Sequence, residues 1–119
     1  MNASSPAQDC LFCRIVAGDV PAEVVHRSET TVAFRDVNPQ APTHVLVVPR
    51  AHHADAAALA RADPAVVAHL VDAAREVAAA EDLDDGYRLV LNTGAGAGQT
   101  VFHVHLHLLG GRDLTWPPG

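Results

Sequence analysis

The stretch Phe102-His103-Val104-His105-Leu106-His107-Leu108 decides how the chain is read. Apolar residues and histidines alternate strictly along it. Such alternation marks a half-buried strand, in which successive side chains face opposite ways. The pattern predicts a strand over Val101–Leu109. It puts His103, His105 and His107 on one face, and Phe102, Val104, Leu106 and Leu108 in the core. Same-face neighbours lie about 6.5–7 Å apart on a strand, so three imidazoles can line one groove. An imidazole can exchange hydrogen bonds, ligate a metal or act as a nucleophile near neutral pH. A solvent-facing polar edge and a tri-histidine metal site are the competing readings. Ligands in line at i, i+2 and i+4 do not easily close a zinc tetrahedron. The adjoining Thr93–Gly98, with three glycines, offers a backbone that a ligand can approach closely.

Upstream, Tyr87–Leu91 is the preceding strand and follows a turn at Asp84-Asp85-Gly86. Val66, Val67, Leu70, Val71, Ala74, Val77 and Ala78 recur at helical spacing, so a long helix runs to Ala80 with Asp63 as cap and Pro64 in first position. The Ala-rich His52–Ala62 also reads as helical. The β-branched Thr43–Val48 is a buried strand ended by Pro49. Val24–His26 and Thr31–Arg35 are shorter strands, separated by a polar turn. Asp9 would cap a short helix over Cys10–Ala17, which Gly18 stops. The expectation is an α+β domain: an antiparallel sheet of about five strands with one long and one short helix.

With 119 residues there is room for one domain. Residues 9–119 are expected to form it, after a disordered lead-in over 1–8, with Gly110–Gly119 as an irregular tail. A net charge of −6 without Lys/Arg clusters argues against binding nucleic acid or anionic membrane. No apolar run approaches the ~20 residues that span a bilayer, and no signal pattern opens the chain. A cytoplasmic protein is expected. Two cysteines three positions apart do not make a secreted disulfide framework.

His-X-His-X-His followed by two apolar residues resembles the motif of the histidine triad (HIT) family. Phe34-Arg35-Asp36, Pro39-Gln40-Ala41-Pro42-Thr43-His44, Gly98-Gln99-Thr100-Val101-Phe102 and Trp116-Pro117-Pro118-Gly119 resemble its histidine triad nucleotide-binding (Hint) branch. The similarity runs from about Cys10 to Gly119. It implies that His105 is a nucleophile that attacks an α-phosphorus, carries a nucleotidyl adduct and gives it up to water. His107 and Gly98-Gln99-Thr100 would hold phosphate oxygens. Thr100 keeps the hydroxyl of the serine that close relatives often carry, and adds a methyl. His44 would support the catalytic histidine. Asp36 would accept from ribose hydroxyls, and Asn92 would contact the sugar–phosphate region. Leu11, Phe12, Ile15, Val20, Phe34 and Val37 would line a purine pocket, although core packing explains the same residues.

For the pair Cys10-Leu11-Phe12-Cys13, a redox dithiol, two inert thiols and a zinc pair are all open. Bacterial members of the resembled family join such a pair to two histidines. Here those are His52, with His53 adjacent as a rival, and His103, giving a closed Cys₂His₂ structural zinc site. His26 and His69 fit no motif and read as surface residues. The resemblance further implies a homodimer with a continuous sheet, with Trp116 near the partner's site. The implied reaction is hydrolysis of purine nucleoside phosphoramidates or mixed anhydrides to a monophosphate such as AMP. The alternatives are a dinucleoside polyphosphate hydrolase and a nucleotide-binding regulator with little activity.

Overall fold

Strand β3, Thr43–Pro49, is buried along its whole length, and the fold is arranged around it. The computed structural model describes residues 9–119, so the lead-in expected over 1–8 lies outside the described residues. β1 is Val24–Arg27, β2 Thr31–Arg35, β4 Tyr87–Val90 and β5 Leu106–Gly110. The sheet order is β1-β2-β3-β5-β4, with every neighbouring pair antiparallel. Helices α1 (Leu11–Val16), α2 (Ala56–Ala62) and α3 (Pro64–Ala80) complete the α+β fold. One long helix was expected and is present; among the described residues the short α-helices are two.

β3 is apolar from Val45 to Pro49 because both faces of the sheet are covered there. Val45 and Val47 join Ala33, Leu106 and Leu108 under α3, where Leu70, Ala74 and Val77 meet them. Leu46 and Val48 point the other way and pack with Val32, Phe34, Cys10 just before α1, and Phe12 within it. By the same alternation His44 and His107 emerge on the α1 side. They stand one register step apart: His44 pairs with Leu109, and Leu46 with His107.

Four local expectations change. Cys10, not Asp9, caps α1, its Sγ accepting the Cys13 N–H at 3.4 Å. The helix expected from His52 starts at Ala56, because Asp55 caps it through the Ala58 N–H at 2.8 Å. Asp63 makes no side-chain cap bond to α3, although Pro64 does open that helix. Most consequentially, the last strand begins at Leu106, not Val101. β3–β5 pairing stops at Val47↔Leu106. Beyond it, the Pro49 carbonyl is taken by a histidine ring, and the Val104 N–H goes to the His53 carbonyl at 2.8 Å. Proline also has no N–H to offer a ladder. His103 and His105 therefore lie outside the sheet. Phe102, expected in the core, is 50% exposed, whereas Val104, Leu106 and Leu108 are buried.

Candidate active site and metal centre

His105 follows the irregular segment, and its ring is held by that segment's own backbone. Its Nδ1 lies 2.9 Å from the His103 carbonyl. A carbonyl only accepts, so Nδ1 carries the hydrogen, and neutral His105 has its lone pair on Nε2. The Phe12 ring stands edge-on to the imidazole at 5.0 Å between centroids.

The other two histidines form a relay that assigns its own protons. The Gln40 N–H donates to His44 Nδ1 at 3.0 Å. The hydrogen of neutral His44 is then on Nε2, which lies 2.9 Å from His107 Nδ1. His107 must accept there, which leaves its own hydrogen on Nε2. Burial lowers the pKa of His44, against the opposing pull of Asp36, whose Oδ2 is 3.5 Å from His44 Nε2. Burial, then the neighbouring His105 and His44, push His107 down to about 4. Both rings are neutral at pH 7. With His105 in its neutral form, the site presents one bare imidazole nitrogen, on His105, beside one imidazole N–H, on His107.

A cavity of about 330 Å³ opens in front of them. Leu11, Phe12, Ile15, Pro21, Ala22 and Phe34 line it as an apolar slot, while Asp36, Asn92, Gly98, Thr100, His105 and His107 supply polar groups. Val37 also lines it, as a fully exposed residue at the rim. Arg35 reaches the lining too, but its guanidinium is tied to Glu23 at 2.9 Å and Glu81 at 2.7 Å. A larger hollow of about 580 Å³ lies between the Asp82–Arg88 turn and the tail. No histidine or cysteine lines it, whereas His105 and His107 line the smaller cavity.

Two expected ligand residues are placed elsewhere. Val20 is not among the residues lining the cavity; Pro21 and Ala22 are. Gln99 is buried and braces the glycine loop: its Oε1 accepts the Gly94 N–H at 2.8 Å, and its Nε2 donates to the Ala54 and Val101 carbonyls at 2.7 and 3.0 Å. The loop needs glycine at position 98, where φ is +93°. Sequence reasoning missed Leu46 and Val101 in the lining. Leu46 was findable, because it shares the alternation class of His44.

On the far side of Phe12 the two thiols meet two imidazoles. Cys10 Sγ and Cys13 Sγ each lie 3.4 Å from His103 Nδ1, and Cys13 Sγ lies 3.4 Å from His52 Nδ1. His103 is fully buried, and its Nε2–H donates to the Pro49 carbonyl at 2.9 Å, so its Nδ1 lone pair points at the thiols. Bonds of ~2.3 Å to sulfur and ~2.0 Å to nitrogen make a tetrahedral S–N edge of roughly 3.5 Å, so the observed spacing fits a zinc-sized cation. All four donor atoms lie within 4.8 Å of one another. Burial, then the neighbouring Cys10 thiol, push the Cys13 thiol up to about 11, so a cation is what would draw out its proton. His53 contributes only its carbonyl, to Val104. His26 pairs with Glu76, and His69 with the Thr30 hydroxyl.

These features define a histidine triad protein, and comparison with known proteins agrees. The HIT domain matches residues 17–114. An uncharacterised HIT-like protein of Synechocystis is 48% identical over 113 residues, covering 95% of this chain and 99% of its own. A 14 kDa zinc-binding protein of Zea mays is 44% identical over 112 residues, covering 92% and 87%. The crystal structure of a HIT family hydrolase from Legionella pneumophila superposes with a TM-score of 0.89 at 49% identity, covering 93% of this chain and all of that one. The chain belongs to the HIT family.

Proposed function

We propose that this chain is a purine nucleoside phosphoramidate hydrolase that works through a nucleotidyl-histidine intermediate. The observation that carries the reading is the His105 tautomer: with Nδ1–H on the His103 carbonyl, Nε2 is a free nucleophile at the polar end of an apolar slot. The resemblance to a HIT family hydrolase supports the same class of reaction.

A purine stacks in the slot among Leu11, Phe12, Ile15 and Phe34, and Asp36 accepts from the ribose hydroxyls. His105 Nε2 attacks the α-phosphorus. The P–N bond to the leaving amine breaks, and the amine departs with its electron pair, taking a proton from solvent that the attacking water returns in the second step. The His107 Nε2–H donates to a phosphate oxygen throughout, held in line by His44. Thr100 and the Gly98 backbone border the same oxygens, with Asn92 at the sugar–phosphate junction. Water then attacks phosphorus, the P–N bond to His105 breaks, and a nucleoside monophosphate such as AMP is released. Two easier displacements replace one difficult one.

Cys10, Cys13, His52 and His103 would hold a structural zinc, the ion named in the Zea mays relative. When bound, it cross-links α1 to the segments carrying His52 and His103 and has no open position for substrate. The protein acts as a homodimer with a continuous sheet, in the cytoplasm. The tail supports the dimer: Trp116 is 82% exposed, and Arg88 holds the Thr115 carbonyl at 2.9 Å, so the indole is presented to a neighbour.

Activity on an adenosine phosphoramidate and on a diadenosine polyphosphate, beside His105→Ala, tests the reading. AMP forms fast from the first substrate, and the variant loses at least about 10³-fold in kcat. Faster turnover of the dinucleotide moves the chain to the polyphosphate class. Equal rates for wild type and variant leave a nucleotide-binding regulator. Metal analysis of untagged, reduced protein gives about one zinc per chain; chelation lowers the melting temperature, and a stoichiometry near zero sinks the zinc assignment.

A further inference from the structure

We infer that Phe12 is a positioning residue for the nucleophile, transmitting occupancy of the base slot to the His105 imidazole. The inference rests on the nucleotidyl-transfer reading above.

His105 is placed by unusually little. It precedes β5, so no ladder bonds fix it. Among the described residues its ring has one hydrogen-bond partner, the His103 carbonyl at 2.9 Å. A single bond at Nδ1 is a hinge, because the ring can tilt about it and swing Nε2 away from phosphorus. What limits the tilt is the rings on either side. The His107 ring lies 5.0 Å away at 60°, and the Phe12 ring 5.0 Å away at 86°. The second is the edge-to-face arrangement that aromatic quadrupoles favour.

Phe12 is suited to hold that position. It is 5% exposed and sits in the α1 turn between the thiols of Cys10 and Cys13. Its ring also stands edge-on to His103, the residue whose carbonyl orients the nucleophile, at 6.0 Å and 73°. Phe34 supports it at 5.4 Å and 68°. The same ring is a wall of the base slot. One rigid side chain thus touches the space where the purine stacks, the nucleophile, and the residue that sets the nucleophile's tautomer. A base filling the slot takes up Phe12's remaining freedom and, through it, that of His105. Part of the base-binding energy then appears in kcat rather than in KM.

Four proteins (wild type, Phe12→Leu, Phe12→Tyr and Ile15→Ala) and two substrates, adenosine 5′-phosphoramidate and the abasic ribose 5-phosphoramidate, test this. The readout is the ratio of kcat with the base to kcat without it. Phe12→Leu, which keeps apolar bulk but loses the flat ring, lowers that ratio about 3- to 10-fold. Phe12→Tyr restores the wild-type ratio. Ile15→Ala, which trims the slot away from the nucleophile, raises KM and keeps the ratio. A Phe12→Leu protein that raises KM but keeps the ratio overturns the inference. Independently of turnover, ring ¹⁵N shifts of His105 in substrate-free protein at pH 8 report its tautomer. Wild type and Phe12→Tyr show Nδ1–H alone, and Phe12→Leu shows a mixture; Nδ1–H alone in Phe12→Leu also overturns it. If wild type hydrolyses neither substrate, the nucleotidyl-transfer reading fails and the ¹⁵N arm alone decides the role of Phe12.

Discussion

The Gln40 N–H fixes the tautomer of His44, His44 in turn fixes that of His107, and the burial of the pair has a consequence for pH. Folded His107 titrates near 4, against an ordinary 6.5, because it is buried beside two other imidazoles. Between those values the unfolded chain takes up a proton that the folded chain refuses. The stabilisation is complete above about 6.5 and is lost as pH falls toward about 4. A His107→Gln protein therefore melts with a shallower pH dependence across that window, as a series of thermal melts will show. An unchanged slope assigns the acid sensitivity to other groups. At this scale the sequence was informative about identity and silent about direction. The spacing singled out three histidines, but only atomic positions reveal which nitrogen of each is bare. The Gln40 N–H and the His103 carbonyl, which decide it, are backbone groups that no residue type announces.

Among the elements, β2, β3 and α3 were legible because each has one period and an apolar face to bury. The last strand was legible only from Leu106 onward. Alternation is necessary for a strand, but a strand also needs a partner, and Pro49 with the His53–Val104 bond ends the partnership before the first two triad histidines. The resulting break separates the three histidines into different tasks, which a uniform strand would not. Gln99 was misplaced for a similar reason: beside glycines, a polar side chain looks equally like a ligand group and a loop brace. That loop gives a direct test. Gly98 has φ +93° and open space where a Cβ would stand, so Gly98→Ala meets backbone strain without a clash. It should cost on the order of 1 kcal/mol in urea unfolding. kcat/KM should fall further than that loss of stability explains, because Thr100 and Gln99 move with the loop.

Across the whole molecule, two apolar layers sandwich the sheet, and an ion pair from Arg35 to Glu81 and a hydrogen bond between His26 and Glu76 tie its β1–β2 edge to α3 and its C-cap. Only the α1 layer borders the chemistry. Leu70→Ala, in the α3 layer and 1% exposed in the parent, should lower stability by about 2–5 kcal/mol. Where the variant is still folded, its KM should match wild type, and a changed KM at full folding means that the layers are coupled. The electrostatics of the molecule have one further consequence. The chain carries a net charge of −6, and Arg35, the one cationic side chain among the described residues that line the cavity, is already neutralised by Glu23 and Glu81. On the proposed reaction, the phosphate meets only neutral donors among the described residues. Such donors can follow charge as it develops during transfer, yet they keep little hold on a finished dianion. On that reading the product is let go by the same groups that served its formation, and its release is not expected to limit turnover.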